Sequence, residues 1–199
     1  MEIIEFFSVI GTISFSLQGG LIAMEKKFDL FAVYLFGILN AFGGGALRYM
    51  LLGESGNELW RQDTPFIASL IAITAVLVFP HFFLKKRAFW TDILDAVGII
   101  SFAIQGSMIA IGMGRPVGAV IVAAILTATG GGIFRDLLSQ RRSILLDENV
   151  YGLWIFLVGL ILGNGWASTN TEIIVIFFVF TTLRILSYKR NWKVPYRAY

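Results

Sequence analysis

The fold is decided by a stretch that occurs twice in the chain. Residues 38–48 read ILNAFGGGALR, and residues 125–135 read ILTATGGGIFR, 87 positions later. Moving outward from these stretches, the match extends without a gap back to Gly11 and Gly98, with 17 identities in the 38 positions from Gly11 to Arg48. Apolar helices share many Leu, Ile and Val residues by chance. A Gln-Gly pair, a glycine triplet and an arginine in one register instead indicate an internal repeat.

The composition is that of a membrane protein. Of the 199 residues, 57% are hydrophobic and 15% are charged, and the mean hydropathy is +0.77. Soluble domains carry about 25% charged residues, so a soluble enzyme and a disordered chain are both excluded. The chain has no cysteine and one histidine, which excludes thiolate nucleophiles and multi-His metal sites. The basic residues lie in short clusters between apolar runs, which favours membrane lipids over nucleic acid as partners.

We expect an all-α integral membrane protein with seven spans in one domain, residues 1–199. Each span needs about 20 apolar residues, and the candidates are residues 3–24, 30–52, 66–84, 93–113, 117–138, 151–167 and 173–188. Repeat one covers about 3–84, repeat two about 92–167, and the seventh helix about 171–188. Because three spans per repeat is an odd number, the second repeat enters the membrane from the opposite side. Such inverted repeats are typical of transporters and related conduits.

The basic residues predict the orientation of the chain. Eleven lie in one set of connections and the tail, against two, Arg61 and Arg115, in the opposite set. The eleven are Lys26, Lys27, Lys85, Lys86, Arg87, Arg141, Arg142, Lys189, Arg190, Lys193 and Arg197. By the positive-inside rule, the protein lies in the cell membrane with its N-terminus outside and its C-terminus cytoplasmic.

The glycine triplets are the strongest local signal, and they have two interpretations. They consist of Gly43, Gly44 and Gly45, and of Gly130, Gly131 and Gly132. Glycine costs a helix about 1 kcal/mol per position relative to alanine, so one interpretation is a kink or local unwinding that exposes carbonyl groups to a conduction path. Asn40, Thr127 and Thr129 would then line that path, although interhelical hydrogen bonding also explains such residues. The other interpretation of the triplets is close helix packing.

Charged residues near the triplets are candidates for a gate or for buried ion pairs. Arg48 and Arg135 follow the triplets by about one turn, and ionisable groups at such depth usually face a cavity or a partner. Three acids are candidate partners of Arg135 near the inner face: Asp92, Asp95 and Asp136. Glu5 is the candidate partner of Arg48 near the outer face. The alternative is that both arginines extend to the lipid headgroups.

The duplicated Gly-Gly-Gly-x-x-Arg pattern and the three-plus-three-plus-one arrangement resemble the TRIC family of trimeric intracellular cation channels. The resemblance is closest to its prokaryotic members, a family also described as a glycine transporter domain. It covers nearly the whole chain. It implies a homotrimer with one pore per subunit, permeable to potassium or sodium ions, and kinked second and fifth spans.

A monovalent cation channel, potassium-permeable, is therefore the function we expect. A carrier for a small zwitterion such as glycine is the alternative, since broken helices in inverted repeats fit a carrier equally well. The sequence shows no nucleophile–base set, so we expect neither an enzyme nor a cofactor. It also lacks a Thr-Val-Gly-Tyr-Gly filter, so strong discrimination between potassium and sodium is not expected.

Overall fold

The computed structural model of the chain describes residues 2–53, 63–140, 150–190 and 192. Within these ranges the backbone forms eight α-helices and no strand, which confirms the all-α prediction. The helices are α1 Ile3–Glu25, α2 Leu30–Leu52, α3 Asp63–Val78, α4 Pro80–Lys85, α5 Arg87–Gly112, α6 Val117–Leu138, α7 Tyr151–Gly163 and α8 Asn170–Lys189. Five of them, α1, α2, α5, α6 and α8, are long and apolar enough to cross a membrane, while α3 and α7 are shorter apolar helices.

Local sequence explains where several helices begin and end. The Asp29 carboxylate accepts a hydrogen bond from the Ala32 amide at 2.8 Å, which caps the start of α2. The same helix ends at Gly53, whose φ of 69° lies in the left-handed region that glycine tolerates. Thr169 and Glu172 form a reciprocal capping box at the start of α8.

The third predicted span is divided into two helices, which corrects the expectation of one continuous helix over residues 66–84. Helix α3 ends at Val78, and α4 begins at Pro80 after a single non-helical residue, Phe79. Proline has no amide hydrogen to donate to the preceding turn, and its ring clashes with the carbonyl four residues back. The helix therefore stops and restarts at this point.

Matched helices of the two repeats pack against each other in antiparallel pairs. Helix α1 contacts α5, and α2 contacts α6. The rings of Phe15 and Phe102 meet edge to face with centroids 5.2 Å apart, and each ring lies over the matched glycine of the other helix, Gly98 or Gly11. Because residues near 11 face residues near 102, and Gln18 faces Asp95, α1 and α5 run in opposite directions.

The outer surface of the bundle is apolar. Large side chains such as Phe31 on α2, Ile71 on α3 and Phe178 on α8 are exposed, while α1 and α5 are the most buried of the long helices. A soluble protein does not present so many large apolar groups to water. The chain is therefore built as a multi-pass helical membrane protein.

Some of the residues behind the orientation prediction lie outside the described ranges. They are Arg61, Arg141, Arg142, Lys193 and Arg197. The orientation of the termini remains a prediction from the charge pattern.

Candidate functional site

The glycine triplets lie where α2 and α6 cross. Both helices stay α-helical through the triplets, so no local unwinding is observed there, and Gly44, Gly130 and Gly131 lie where the two backbones meet. A Cβ on Gly44 would overlap the Thr127 carbonyl oxygen, and one on Gly131 would overlap the carbonyl oxygen of Asn40. A Cβ on Gly130 would lie 2.7 Å from the Cα of Gly44. The two backbones thus approach more closely than any side chain allows.

The glycines of each triplet differ in their surroundings. A Cβ on Gly43 would lie 2.7 Å from the Phe134 ring and 3.2 Å from the Cα of Gly131. A Cβ on Gly45 would meet nothing within 4 Å, and one on Gly132 would meet only the Arg135 side chain, at 3.6 Å. Only part of each triplet is therefore required for the close helix contact.

A group of buried polar side chains surrounds Gln18, and we call it the Gln18 cluster. Its members come from α1, α2, α5, α6 and α8: Gln18, Asn40, Asp95, Arg135, Asp136 and Arg184. The Gln18 amide nitrogen donates to Asp95 Oδ1 at 3.1 Å and to the Thr91 carbonyl at 3.2 Å. Its amide oxygen accepts from Asn40 Nδ2 at 3.1 Å and from the Arg135 guanidinium. The side-chain amide of Gln18 thus forms hydrogen bonds to residues of both repeats.

Arg135 forms a buried ion pair with its neighbour in the chain. Its guanidinium lies 2.8 Å from Asp136 Oδ1, and both side chains are almost completely buried. Asp136 is one of the three acids considered as a partner of Arg135. Asp92 is half-buried, one turn before Asp95 on α5.

Asp95 pairs with an arginine that the sequence analysis did not select. Arg184 on α8 donates to Asp95 Oδ2 at 3.2 Å, and its guanidinium carbon lies 4.6 Å from the centre of the Tyr151 ring. Arg184 is only 4% exposed although it lies in the seventh span, outside the two repeats. The signal was present in the sequence, since an ionisable residue inside an apolar span usually has a buried role.

A second set of polar side chains lies around Arg48, beside a small cavity that we call the Arg48 pocket. The pocket has a volume of about 10 Å³ and is lined by Thr12, Ala41, Phe42, Gly45, Arg48, Phe102, Gln105 and Thr127. Arg48 is 1% exposed. It donates to Thr127 Oγ1 at 3.4 Å and lies 4.8 Å from the centre of the Tyr49 ring. A cavity of this size holds about one water molecule.

Glu5 and Thr129, both predicted site residues, are not drawn into these groups. Glu5 is exposed in the first turn of α1, so the expected pairing of Glu5 with Arg48 is not seen among the described residues. Thr129 donates its hydroxyl hydrogen to the Ile125 carbonyl at 2.7 Å, within its own helix. Thr127 makes the same kind of bond to Ala123, at 2.6 Å, but its oxygen also faces Arg48.

The Gln18 cluster and the Arg48 pocket are related by the repeat. Gln18 matches Gln105, Asn40 matches Thr127, and Arg135 matches Arg48, all at the 87-residue offset. Each arginine reaches a polar side chain of the other repeat. Polar atoms therefore lie on both sides of the α2–α6 crossing, inside a bundle whose exterior is apolar. Such a molecule belongs to the class of multi-pass membrane proteins with a polar interior.

Comparison with known proteins places the chain within that class. The family model described as "Glycine transporter" matches residues 5–81 and 92–165. The UPF0126 membrane protein YvgT of Bacillus subtilis (strain 168) is 46% identical over 98% of this chain and 96% of its own. A prokaryotic TRIC channel crystallised in 0.5 M KCl is 28% identical, with a TM-score of 0.87 over 96% of this chain and 98% of its own.

A further TRIC cation channel structure is 27% identical, with a TM-score of 0.84 over 98% of this chain and 97% of its own. The matches cover almost the full length of both chains in each case. This chain belongs to the TRIC family, as its glycine-triplet and arginine pattern predicted.

Proposed function

We propose that this protein is a cation channel permeable to potassium, with one conduction path in each subunit of a homotrimer. The observation that carries the proposal is that two repeat-related sets of polar side chains lie on either side of the α2–α6 crossing. These sets are the Gln18 cluster and the residues around the Arg48 pocket. Its relatives of similar length and more than 25% identity include TRIC cation channels. A path through the subunit needs polar atoms in the interior, and these two groups supply them.

The path runs past the crossing, between the Arg48 pocket and the Gln18 cluster. Asn40 and Thr127 provide oxygen atoms on the two sides. Asn40 Oδ1 is buried without a hydrogen-bond partner among the described residues. A buried acceptor left in this way gains stabilisation from a passing cation or its water. The glycines at the crossing, Gly43, Gly44, Gly130 and Gly131, serve this path by bringing the two helices close, rather than by freeing their carbonyl groups.

Arg48 and Arg135 act as the gate. A positive charge in the path repels a cation, and the Arg48 pocket holds only about one water molecule at its volume of about 10 Å³. Both guanidinium groups must therefore move aside for conduction. Asp95 and Asp136 offset positive charge in the Gln18 cluster, while Glu5 and Asp92 lie nearer the ends of their helices.

The two repeats, about residues 3–84 and 92–167, are related by an inverted arrangement in the membrane, and the seventh span covers one side. The antiparallel α1–α5 and α2–α6 pairs support this arrangement. The N-terminus lies outside and the C-terminus in the cytoplasm, as the charge pattern predicts.

Single-channel recording of the purified protein in a planar bilayer tests the function. A potassium chloride gradient should give unitary currents that reverse close to the potassium equilibrium potential, with weak preference for potassium over sodium. Saturable glycine counterflow without unitary currents would instead establish the carrier alternative, which the family description suggests.

A matched pair of variants tests the position of the path. Asn40→Leu should lower the unitary conductance several-fold, because it removes the unpartnered oxygen. Asn40→Thr, which introduces the residue that the other repeat carries, should conserve most of it. Asn164→Leu, at an exposed position after α7, is the control and should conduct normally. Equal conductance in all three would place the path elsewhere.

Mass measurement of the complex in a lipid environment tests the assembly. We expect a trimer. A stable monomer or dimer that still conducts would remove the trimer from the proposal.

A further inference from the structure

The buried arginine of the last helix is outside the repeat, yet it contacts the polar interior. Arg184 lies on α8, and its ion pair with Asp95 connects this helix to α5. The Tyr151 ring of α7 lies against its guanidinium. The charge pair and the ring fix the guanidinium from two directions. Arg184 is thus a rigid counter-charge for Asp95.

Asp95 in turn fixes the orientation of the Gln18 amide. An ionised carboxylate only accepts hydrogen bonds, so the group that faces it must be the amide nitrogen of Gln18, at 3.1 Å. The Thr91 carbonyl, also an acceptor, holds the same nitrogen at 3.2 Å. The amide oxygen of Gln18 must then point the other way.

The amide oxygen is the atom that holds Arg135. It accepts from the Arg135 guanidinium and from Asn40 Nδ2. If the amide rotated by half a turn, its nitrogen would face these two donors and repel them. The orientation of one amide therefore decides whether Arg135 is held in its observed position.

We propose that Arg184 is a positioning residue for the gate, acting through Asp95 and Gln18 to hold Arg135 in the path. This inference rests on the proposed channel function. In it, the last helix has a regulatory role, because it sets how often Arg135 leaves the path.

The test is the double variant Asp95→Asn/Arg184→Gln. It removes both charges together, so neither is left buried alone, and the Asn side chain can turn either its oxygen or its nitrogen toward Gln18. Open probability should rise on the order of threefold to tenfold, the effect of losing one hydrogen bond of ordinary strength. The control is Lys189→Gln, which removes an exposed charge from the end of the same helix and should leave gating unchanged.

A double-mutant cycle with Gln18→Met distinguishes a role of Arg184 in positioning Arg135 from a general stabilisation of helix packing. In the Gln18→Met background, the double variant should cause no further change in open probability, because the connecting amide is gone. A full additive effect in that background would overturn the inference, as would wild-type gating in the double variant itself.

Arg184→Lys keeps the charge but loses the planar contact with Tyr151, and it serves if the double variant does not fold. Its open probability should lie between that of the wild-type protein and that expected for the double variant. Wild-type gating in Arg184→Lys would also overturn the inference. Absence of any unitary current in the wild-type protein would instead mean that the proposed function has failed. If the wild-type protein conducts and the variants have the same open probability as wild type, only the proposed role of Arg184 is wrong.

Discussion

Alanine at the helix crossing is the sharpest test of how α2 and α6 are held together. In Gly131→Ala the new Cβ would lie 2.7 Å from the carbonyl carbon of Asn40 and 3.2 Å from its Cα. These are backbone atoms, so no rotation of a side chain relieves the overlap. Ordinary contact begins at 3.4 Å, so the helices must separate by more than about 0.7 Å. Gly44→Ala meets the same obstacle at the carbonyl groups of Leu126 and Thr127.

The two energetic effects of the substitution oppose each other. Forcing a methyl group into a packed contact costs about 1–3 kcal/mol. The gain in helix propensity is about 1 kcal/mol. A backbone-to-backbone contact cannot relax locally, so the packing cost lies at the upper end of its range. We expect a net loss of about 2 kcal/mol of unfolding free energy at each of the two positions.

Gly45→Ala and Gly132→Ala are the matched controls, because they lie in the same triplets without a close backbone neighbour. We expect Gly45→Ala to be neutral or to stabilise the protein by up to about 1 kcal/mol. Thermal unfolding followed by circular dichroism, with size-exclusion chromatography, should rank Gly44→Ala and Gly131→Ala clearly below the controls. If all four variants melt together, the close approach of the helices is not what the triplets provide. A Gly44→Ala/Gly131→Ala protein that folds and assembles but conducts poorly would restore the hinge interpretation.

Three further predictions address the buried charge, the orientation and a helix cap. Arg135→Ala removes the guanidinium that pairs with the buried Asp136 carboxylate, so it should lower the unfolding free energy by about 3–5 kcal/mol or alter the current. An unchanged melting temperature together with an unchanged current would show that this ion pair contributes little. In this cysteine-free chain, Glu2→Cys should react with an impermeant maleimide from outside the cell and Lys86→Cys only from the cytoplasmic side, and the reverse pattern would invert the topology. Thr169→Ala removes the side-chain cap of α8 and should cost about 1 kcal/mol, measured by thermal unfolding, whereas an unchanged melting temperature would show that the capping box contributes little.

Most of the fold follows from two features of the sequence. Apolar runs bounded by charged or turn residues predict α2 and α6 at the bounds that the structure shows, 30–52 and 117–138. The repeat also indicates which residues occupy equivalent places, such as Gln18 and Gln105. The break before Pro80 was missed because the apolar run continues through it, and hydropathy does not register a missing hydrogen-bond donor.

The arrangement of the site was less predictable. The choice between Asp92, Asp95 and Asp136 as partners depends on how each helix is rotated about its axis, which the repeat alone does not fix. Arg184 was not chosen as a candidate site residue from the sequence because it has no counterpart in the repeat. The role of the triplets depends on the distance between two backbones, and a run of glycines favours both a flexible helix and a close contact.

The crossed contacts between the repeats bear on how such a protein arose. The guanidinium of Arg135 is held by Gln18, and that of Arg48 lies against Thr127, so each half supplies the polar partner that the other half needs. A three-span peptide could complete this contact only with a second copy of itself inserted in the opposite direction. Gene duplication and fusion of such a dual-topology ancestor would free each half to change separately. On such an origin, Asp136 in one half and Tyr49 at the matching place in the other would mark that divergence.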